Sequence, residues 1–223
     1  MLTCDVVPQP EPQSPASGQH AIISARIQSP LIAAASIKIM SETKQYQNTH
    51  IQFRLAVDAD AETIAALVNS AYRGDSSRQG WTTEDDLLQG PRIHAQEVSD
   101  MLAAKDSVIL LCLQDQDIIG CVHLEKTERA AYLGMFVVRP VLQGNGIGKY
   151  FMQTAEQHAQ KMWGISKIWM TVITVRHELI AYYERRGYVR TGRFKPFPAD
   201  NGKEKVLVEN LQYEEMEKTL PPA

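Results

Sequence analysis

Apolar residues along the chain fall into three patterns: alternating runs, solid runs and helical stripes. Ile51-Gln52-Phe53-Arg54-Leu55-Ala56-Val57 alternates large apolar with other residues, the period of a strand with one buried face. Asp58 or Asp60 then offers an N-cap, and Ile64, Leu67, Val68 and Ala71 recur at the spacing of an amphipathic helix. Arg73 to Arg92, interrupted by Gly74, Gly80, Gly90 and Pro91, predicts a loop with one helical turn at Thr83-Glu84-Asp85-Asp86-Leu87-Leu88. A second helix follows and ends near Lys105. Ser107 to Leu113 and Ile118 to Leu124 are β-rich and almost wholly apolar, and Gln114-Asp115-Gln116-Asp117 between them predicts a hairpin. Ala131 to Val138 extends that sheet until Pro140, which has no N–H for a ladder, ends it. A helical stripe runs from Gly148 to about Met162, a strand from Ile168 to Ile173, and a helix from His177 to Arg186, closed by Gly187 in the left-handed conformation. Tyr188 to Thr191 and Val206 to about Thr219 predict two last strands around a Gly- and Pro-containing loop. The order is β-α-α-β-β-β-α-β-α-β-β, an α/β chain of the α+β kind with helices on the faces of a mixed sheet.

Ahead of Ile51 the periodicity fails. Residues 1–48 are rich in Pro, Ser, Gln and Ala, which predicts a disordered tail before a single domain over residues 49–223. A functional start at Met40 is as compatible with the pattern as one at Met1. The tail's charges cancel, so the formal charge of −3 on the 223-residue chain belongs to the domain. That balance has no excess of Lys and Arg to neutralise a phosphate backbone, which argues against a nucleic-acid partner and favours a small-molecule or peptide partner. No apolar stretch approaches the roughly 18 residues of a membrane span; the nearest, Leu31 to Ile39, is broken by Ser36 and Lys38. No secretory signal is visible, and Cys4, Cys112 and Cys121 are too few and too scattered for a disulfide framework, so a cytoplasmic protein without membrane contact is expected. No metal is expected.

The densest chemical signal is Gln143-Gly144-Asn145-Gly146-Ile147-Gly148, where the third strand turns into a helix. Glycines remove the Cβ atoms that would keep an anion from successive backbone N–H groups. The first helical turn adds N–H groups without internal partners and about half a positive charge from the dipole, so a phosphate is favoured there. A Walker loop is excluded because Lys149 is followed by Tyr150 and the place five residues before Gly148 holds Gln143. A Rossmann turn is excluded by the glycine spacing and by the strands that precede it.

This turn, preceded by Phe136-Val137-Val138-Arg139-Pro140, resembles the Q/R-x-x-G-x-G/A signature of the GNAT superfamily of acyl-CoA-dependent N-acyltransferases. A second segment, Arg176 to Tyr188, resembles the family's helix ending in Y-E-x-x-G-F/Y. The resemblance implies a mostly antiparallel central sheet with helices on both faces, acetyl-CoA as co-substrate, and transfer of an acetyl or other short acyl group to a primary amine. It also implies that the backbone of Phe136, Val137 and Val138 pairs with the pantetheine arm. Residues Gln143, Gly144, Asn145, Gly146, Ile147, Gly148 and Lys149 would hold the pyrophosphate, Lys149 being otherwise a solvated helix lysine. The family's tyrosine beside the thioester sulfur corresponds to Tyr183, a candidate general acid or, failing that, a packing residue; a phenol near about 10 can protonate a thiolate near about 8.5. Tyr182, about 100° around the helix, is read as core.

Where many members carry Asn this chain has Arg176, which could reach a cofactor phosphate or the substrate, or lie solvated on the surface. A backbone N–H of Val137 or Val138 is the expected oxyanion donor. His123 and Glu125, two apart on one strand face, are the candidates for moving the amine's proton, against the alternative of a solvated strand end. Trp81, an aromatic among glycines and charges in the Arg73–Glu84 loop, is a candidate substrate-binding lid residue or a packing anchor. A homodimer is compatible with this reading. A non-catalytic acyl-CoA-binding or sensing module of the same fold is the alternative to an enzyme.

Overall fold

The computed structural model describes residues 45–46, 49–128, 130–198 and 204–222. The expectation for the N-terminal tail otherwise lies outside the described residues, though Gln45–Tyr46 (β1) already forms a short strand paired with the next. In order there follow β2 (Thr49–Leu55), α1 (Ala61–Tyr72), α2 (Gly74–Ser77), β3 (Leu88–Gln89), α3 (Ala95–Ala103), β4 (Ser107–Gln114) and β5 (Asp117–Lys126). The chain continues with β6 (Ala131–Val138), α4 (Ile147–Trp163), β7 (Lys167–Ile173), α5 (His177–Glu184), β8 (Val189–Pro196), β9 (Lys205–Val206) and β10 (Gln212–Thr219). Eight strands form one sheet in the order β1-β2-β4-β5-β6-β7-β10-β8. Every pairing is antiparallel except β6 with β7.

The solid apolar run of β4 is explained by burial on both faces. Ile109, Leu111 and Leu113 join Cys121 and Val137 against α1 and α3. Leu110 and Cys112 point the other way, with Val122, Leu124 and Leu133, against Phe151, Met152 and Ala155 of α4. The β4–β5 hairpin turns on Asp115 and Gln116 at φ of 50° and 77°, the two left-handed positions of a tight two-residue turn that matches strand twist. Gly164 closes α4 at φ 64°, and Gly187 follows α5 at φ 86°. Among the described residues, no helix is long and apolar enough to cross a membrane.

Two sequence expectations are corrected, and a third, the helical turn of the long loop, is present with a short helix not expected before it. Neither Asp58 nor Asp60 caps α1 through its side chain: residues Asp58–Asp60 form a 3-10 turn, and Asp60 accepts from the Val57 N–H and pairs with Arg54 at 2.7 Å. The helical turn expected at Thr83–Leu88 is a single turn on the Glu84 carbonyl, and the short helix of this loop lies earlier, in α2. Val206 is not the start of the last strand; β9 pairs with β3 in a separate two-stranded sheet, and β10 begins at Gln212.

Two departures from regular pairing prepare the site. A bulge on β6 places Met135 and Phe136 opposite Val122, with Met135 at φ 48°. Beside it, β6 and β7 pair only at Ala131↔Ile168 and Tyr132↔Trp169, so the later part of β6 has an open edge.

Candidate active site

Alternation along β6 decides which backbone groups face that edge. Arg139 N–H donates to Ile119 O of the β5 side at 2.7 Å, so Val137, two residues back, also faces β5 and Val138 faces away. In keeping with this, the Val138 carbonyl accepts from Gln143 Nε2 at 2.9 Å, and the Phe136 carbonyl accepts from the Tyr72 hydroxyl at 3.4 Å. Of the three residues expected to offer main chain to a ligand, Phe136 and Val138 face the open edge. Val137 instead ladders with Cys121 and sends its side chain, 2% exposed, into the α1–α3 core.

The open edge leads into the glycine turn. Gly144 and Gly146 sit at φ 83° and 82°, a left-handed conformation costing other residues roughly 1–2 kcal/mol. Gly146 is the N-cap of α4 and no side chain caps it. The Gly146 carbonyl accepts from Lys149 and Tyr150 N–H at 3.1 and 3.2 Å, closing the first turn and leaving the earlier N–H groups directed outward. Gly148 serves a different purpose: a Cβ there would lie 2.9 Å from the Tyr182 hydroxyl. Ile147 anchors the turn through a buried side chain, whereas Asn145 and Lys149 are exposed.

A cavity of about 350 Å³ runs along this edge. Phe136, Val137, Val138, the three glycines of the turn and Lys149 line it, together with Trp81, Tyr182, Arg185 and Arg186. Lys149, Arg185 and Arg186 place three cations around the uncapped helix start, the arrangement that favours a polyanion. Trp81 is 44% exposed, stacks on Tyr182 with ring centroids 5.3 Å apart, and donates its backbone N–H to Gln143 Oε1 at 3.1 Å. The loop is thereby fastened to the glycine turn. Tyr182 is half-buried and lines the cavity, which corrects its reading as a core residue. Its ring centroid lies 3.2 Å from the Arg186 guanidinium carbon, a cation–π contact.

A second cavity, of about 90 Å³, opens between the diverging β6 and β7 and shares Tyr72, Phe136, Arg176, Leu179 and Tyr183 with the first. Tyr183 is 7% exposed, and among the described residues none offers its hydroxyl a hydrogen bond. Burial raises its pKa well above the ordinary phenol value, Tyr72 adds to the rise and Arg176 opposes it, so the hydroxyl stays protonated. The same burial pushes Tyr72 up to about 12. Arg176 is no surface arginine: it is 5% exposed, with Nη1 donating to Glu84 at 2.6 Å and Nη2 to Thr82 Oγ1 at 2.6 Å. It braces the loop against α5, and only its Nε is without a hydrogen-bond partner.

His123 and Glu125 line neither cavity. His123 Nε2 is hydrogen-bonded to Ser107 Oγ at 2.8 Å, with its pKa lowered by burial, and Glu125 lies exposed at the strand end. Four residues of the site escape the sequence reading: Glu84, Arg92, Arg185 and Arg186. Arg186 follows Tyr182 by four residues, in the turn just after α5, where its Nη1 donates to the Tyr182 carbonyl at 2.6 Å, so a local signal for it exists. Glu84 and Arg92 reach the site only through tertiary folding.

An open strand edge leading into a cationic helix N-terminus, beside a buried phenol, defines a site for an extended ligand with an anionic end. The sequence profile of the acetyltransferase (GNAT) family matches residues 75–188, more than half of the chain, and the chain belongs to that family. No curated protein sequence matches it. Among solved structures it is similar to a chimera of spermidine N-acetyltransferase SpeG from Vibrio cholerae and hSSAT. That likeness has a TM-score of 0.56 and 17% identity over 76% of this chain and 95% of that one. A GNAT-family acetyltransferase from Streptococcus pneumoniae matches with TM-score 0.54 and 18% identity over 77% and 99% of the two chains. The ribosomal-protein-S18-alanine N-acetyltransferase from Escherichia coli gives 0.57 and 12% over 78% and 96%. These likenesses are of fold, with identities too low to carry a substrate across.

Proposed function

We propose that this chain transfers an acetyl or other short acyl group from acyl-CoA to a primary amine, by direct attack of the amine while both substrates are bound. The observation that carries this reading is the continuity of the larger cavity, from the open Phe136 and Val138 edge into the α4 N-terminus, with Tyr183 where it meets a second cavity. The uncapped N–H groups after Gly144, with Lys149, Arg185 and Arg186, suit the pyrophosphate of CoA. The main chain of Phe136 and Val138 suits the amide-bearing arm. When bound, acyl-CoA supplies an acyl group activated as a thioester.

The Val138 N–H, on the open edge, is the donor for the charge that develops on the acyl oxygen, whereas that of Val137 is directed to β5. Tyr183, held neutral, donates its proton as the sulfur leaves. Its raised pKa costs driving force for that transfer, and the neighbouring Arg176 acts in the opposite direction. His123 and Glu125, away from both cavities, are not assigned the amine's proton.

The test is thiol release from acetyl-CoA across a panel of amines, alongside calorimetric acetyl-CoA binding. Amine-dependent thiol release supports the enzyme. Tight binding with no amine turned over would make the chain an acyl-CoA-binding or sensing module instead.

A further inference from the structure

The smaller cavity has room for several water molecules, or for the short polar end of a small acceptor. Its charged lining residues are Glu84, Arg92 and Arg176. Glu84 is fully engaged: one oxygen takes Arg176 Nη1 at 2.6 Å and the other takes Arg73 Nη1 at 2.8 Å. Arg73 is shared in turn with Glu204. Among the described residues Glu84, Glu204 and Glu178 are all taken up in ion pairs by Arg73 and Arg176, whereas Arg92 makes none and feels Glu84 and Glu204 only at a distance. It is half-buried, its guanidinium carbon lies 5.8 Å from the centroid of the Tyr72 ring, and among the described residues none hydrogen-bonds or ion-pairs with that guanidinium. The remaining polar wall consists of the phenols of Tyr72, Tyr132, Tyr183 and Tyr213 with Thr171.

We propose that Arg92 binds a carboxylate of the acceptor, so that the substrate is a small amine that also carries a carboxylate, of the amino-acid kind, and not a polyamine. This rests on the acyl-transfer reading of the same site. A half-buried guanidinium with no hydrogen-bonding partner has its donors free, and its planar fork matches a carboxylate through two parallel hydrogen bonds. An acceptor with several ammonium groups would set positive charge against Arg92 and Arg176. Because Tyr183 and Arg176 wall both cavities, a carboxylate held at Arg92 leaves the amine end toward the shared wall.

The experiment uses the full chain with glycine, L-alanine and L-glutamate, each beside its α-amide, and spermidine, as acceptors for thiol release from acetyl-CoA. The acids are expected to exceed their amides in kcat/KM by about ten- to a hundred-fold, mainly through KM, the worth of a hydrogen-bonded charge. Arg92→Met is expected to bring the ratio near one by loss on the acid side, and Arg92→Lys to restore part of it. In parallel, calorimetry on the CoA-loaded protein is expected to detect the acids and to lose them in Arg92→Met, with circular dichroism confirming that the variant folds. Preference for the amides or spermidine, or an acid-to-amide ratio that survives Arg92→Met, overturns the proposal. Acids that bind through Arg92 while no amine is acylated keep the anion site and remove the enzyme reading.

Discussion

The two cavities that meet at Tyr183 are built by different means. The larger is made mostly of main chain: an open strand edge, two left-handed glycines and an uncapped helix start, with cations added around them. The smaller is made of side chains brought together from distant positions, with Glu84 joined to Arg176 across 92 residues of sequence and Arg73 to Glu204 across 131. A backbone site tolerates change in most side chains and suits what every acyl-CoA has in common. A side-chain site changes its ligand with one substitution, which is where acceptor choice belongs.

That contrast can be broken most severely at Gly146. Glutamate there must adopt φ 82° and brings a carboxylate to the helix N-terminus, so acetyl-CoA affinity measured by calorimetry is expected to fall about 1000-fold. Retained affinity would remove the cofactor assignment. Next in size is Glu84→Ala, which leaves Arg73 and Arg176 buried without their shared carboxylate. A loss of about 3 kcal/mol, read as a fall of about 10 °C in thermal midpoint, is expected, with Glu84→Gln milder because it keeps hydrogen-bond acceptors. An unchanged midpoint would mean that the network does not brace the loop.

Tyr183→Phe is expected to lower kcat about 100-fold while acetyl-CoA affinity changes little. The sign of its pH dependence is fixed by burial. A general acid works while protonated, and a phenol raised above its ordinary value of 10 stays protonated to higher pH, so kcat shows no alkaline decline from this group below pH 10. A decline at the ordinary phenol value, absent from Tyr183→Phe, would contradict the buried placement. The smallest effect is at Gly148, where alanine meets the Tyr182 hydroxyl at 2.9 Å. A loss of about three- to five-fold in acetyl-CoA affinity is expected, relieved by Tyr182→Phe, because contacts of this kind are worth under about 1 kcal/mol when one partner can shift.

The larger cavity is largely legible in the amino-acid sequence because its signals are local. The Pro140 break, the glycine spacing and the Ala131–Val138 run each depend on neighbours in sequence, and β6 has those same ends. Even there, which of Phe136, Val137 and Val138 faces the ligand depends on the bulge at Met135, which no composition reveals. Tyr182 passes for a core residue because an eight-residue helix shows only two turns of periodicity, too few to tell a core face from a cavity wall. The smaller cavity is legible only through Phe136, Arg176 and Tyr183, which it shares with the larger. In sequence Arg176 is only a departure from a family position; the folded loop shows it gripping Glu84 and Thr82. Strand alternation alone nominates His123 and Glu125, and alternation gives a face but not the distance to a cavity.

The most direct test of direct transfer is initial-rate kinetics with acetyl-CoA and an accepted amine both varied. Simultaneous occupancy of the two cavities predicts intersecting double-reciprocal lines, with thiol release dependent on the amine. Parallel lines, with a burst of thiol released before the amine is added, would indicate an acylated enzyme and contradict the account.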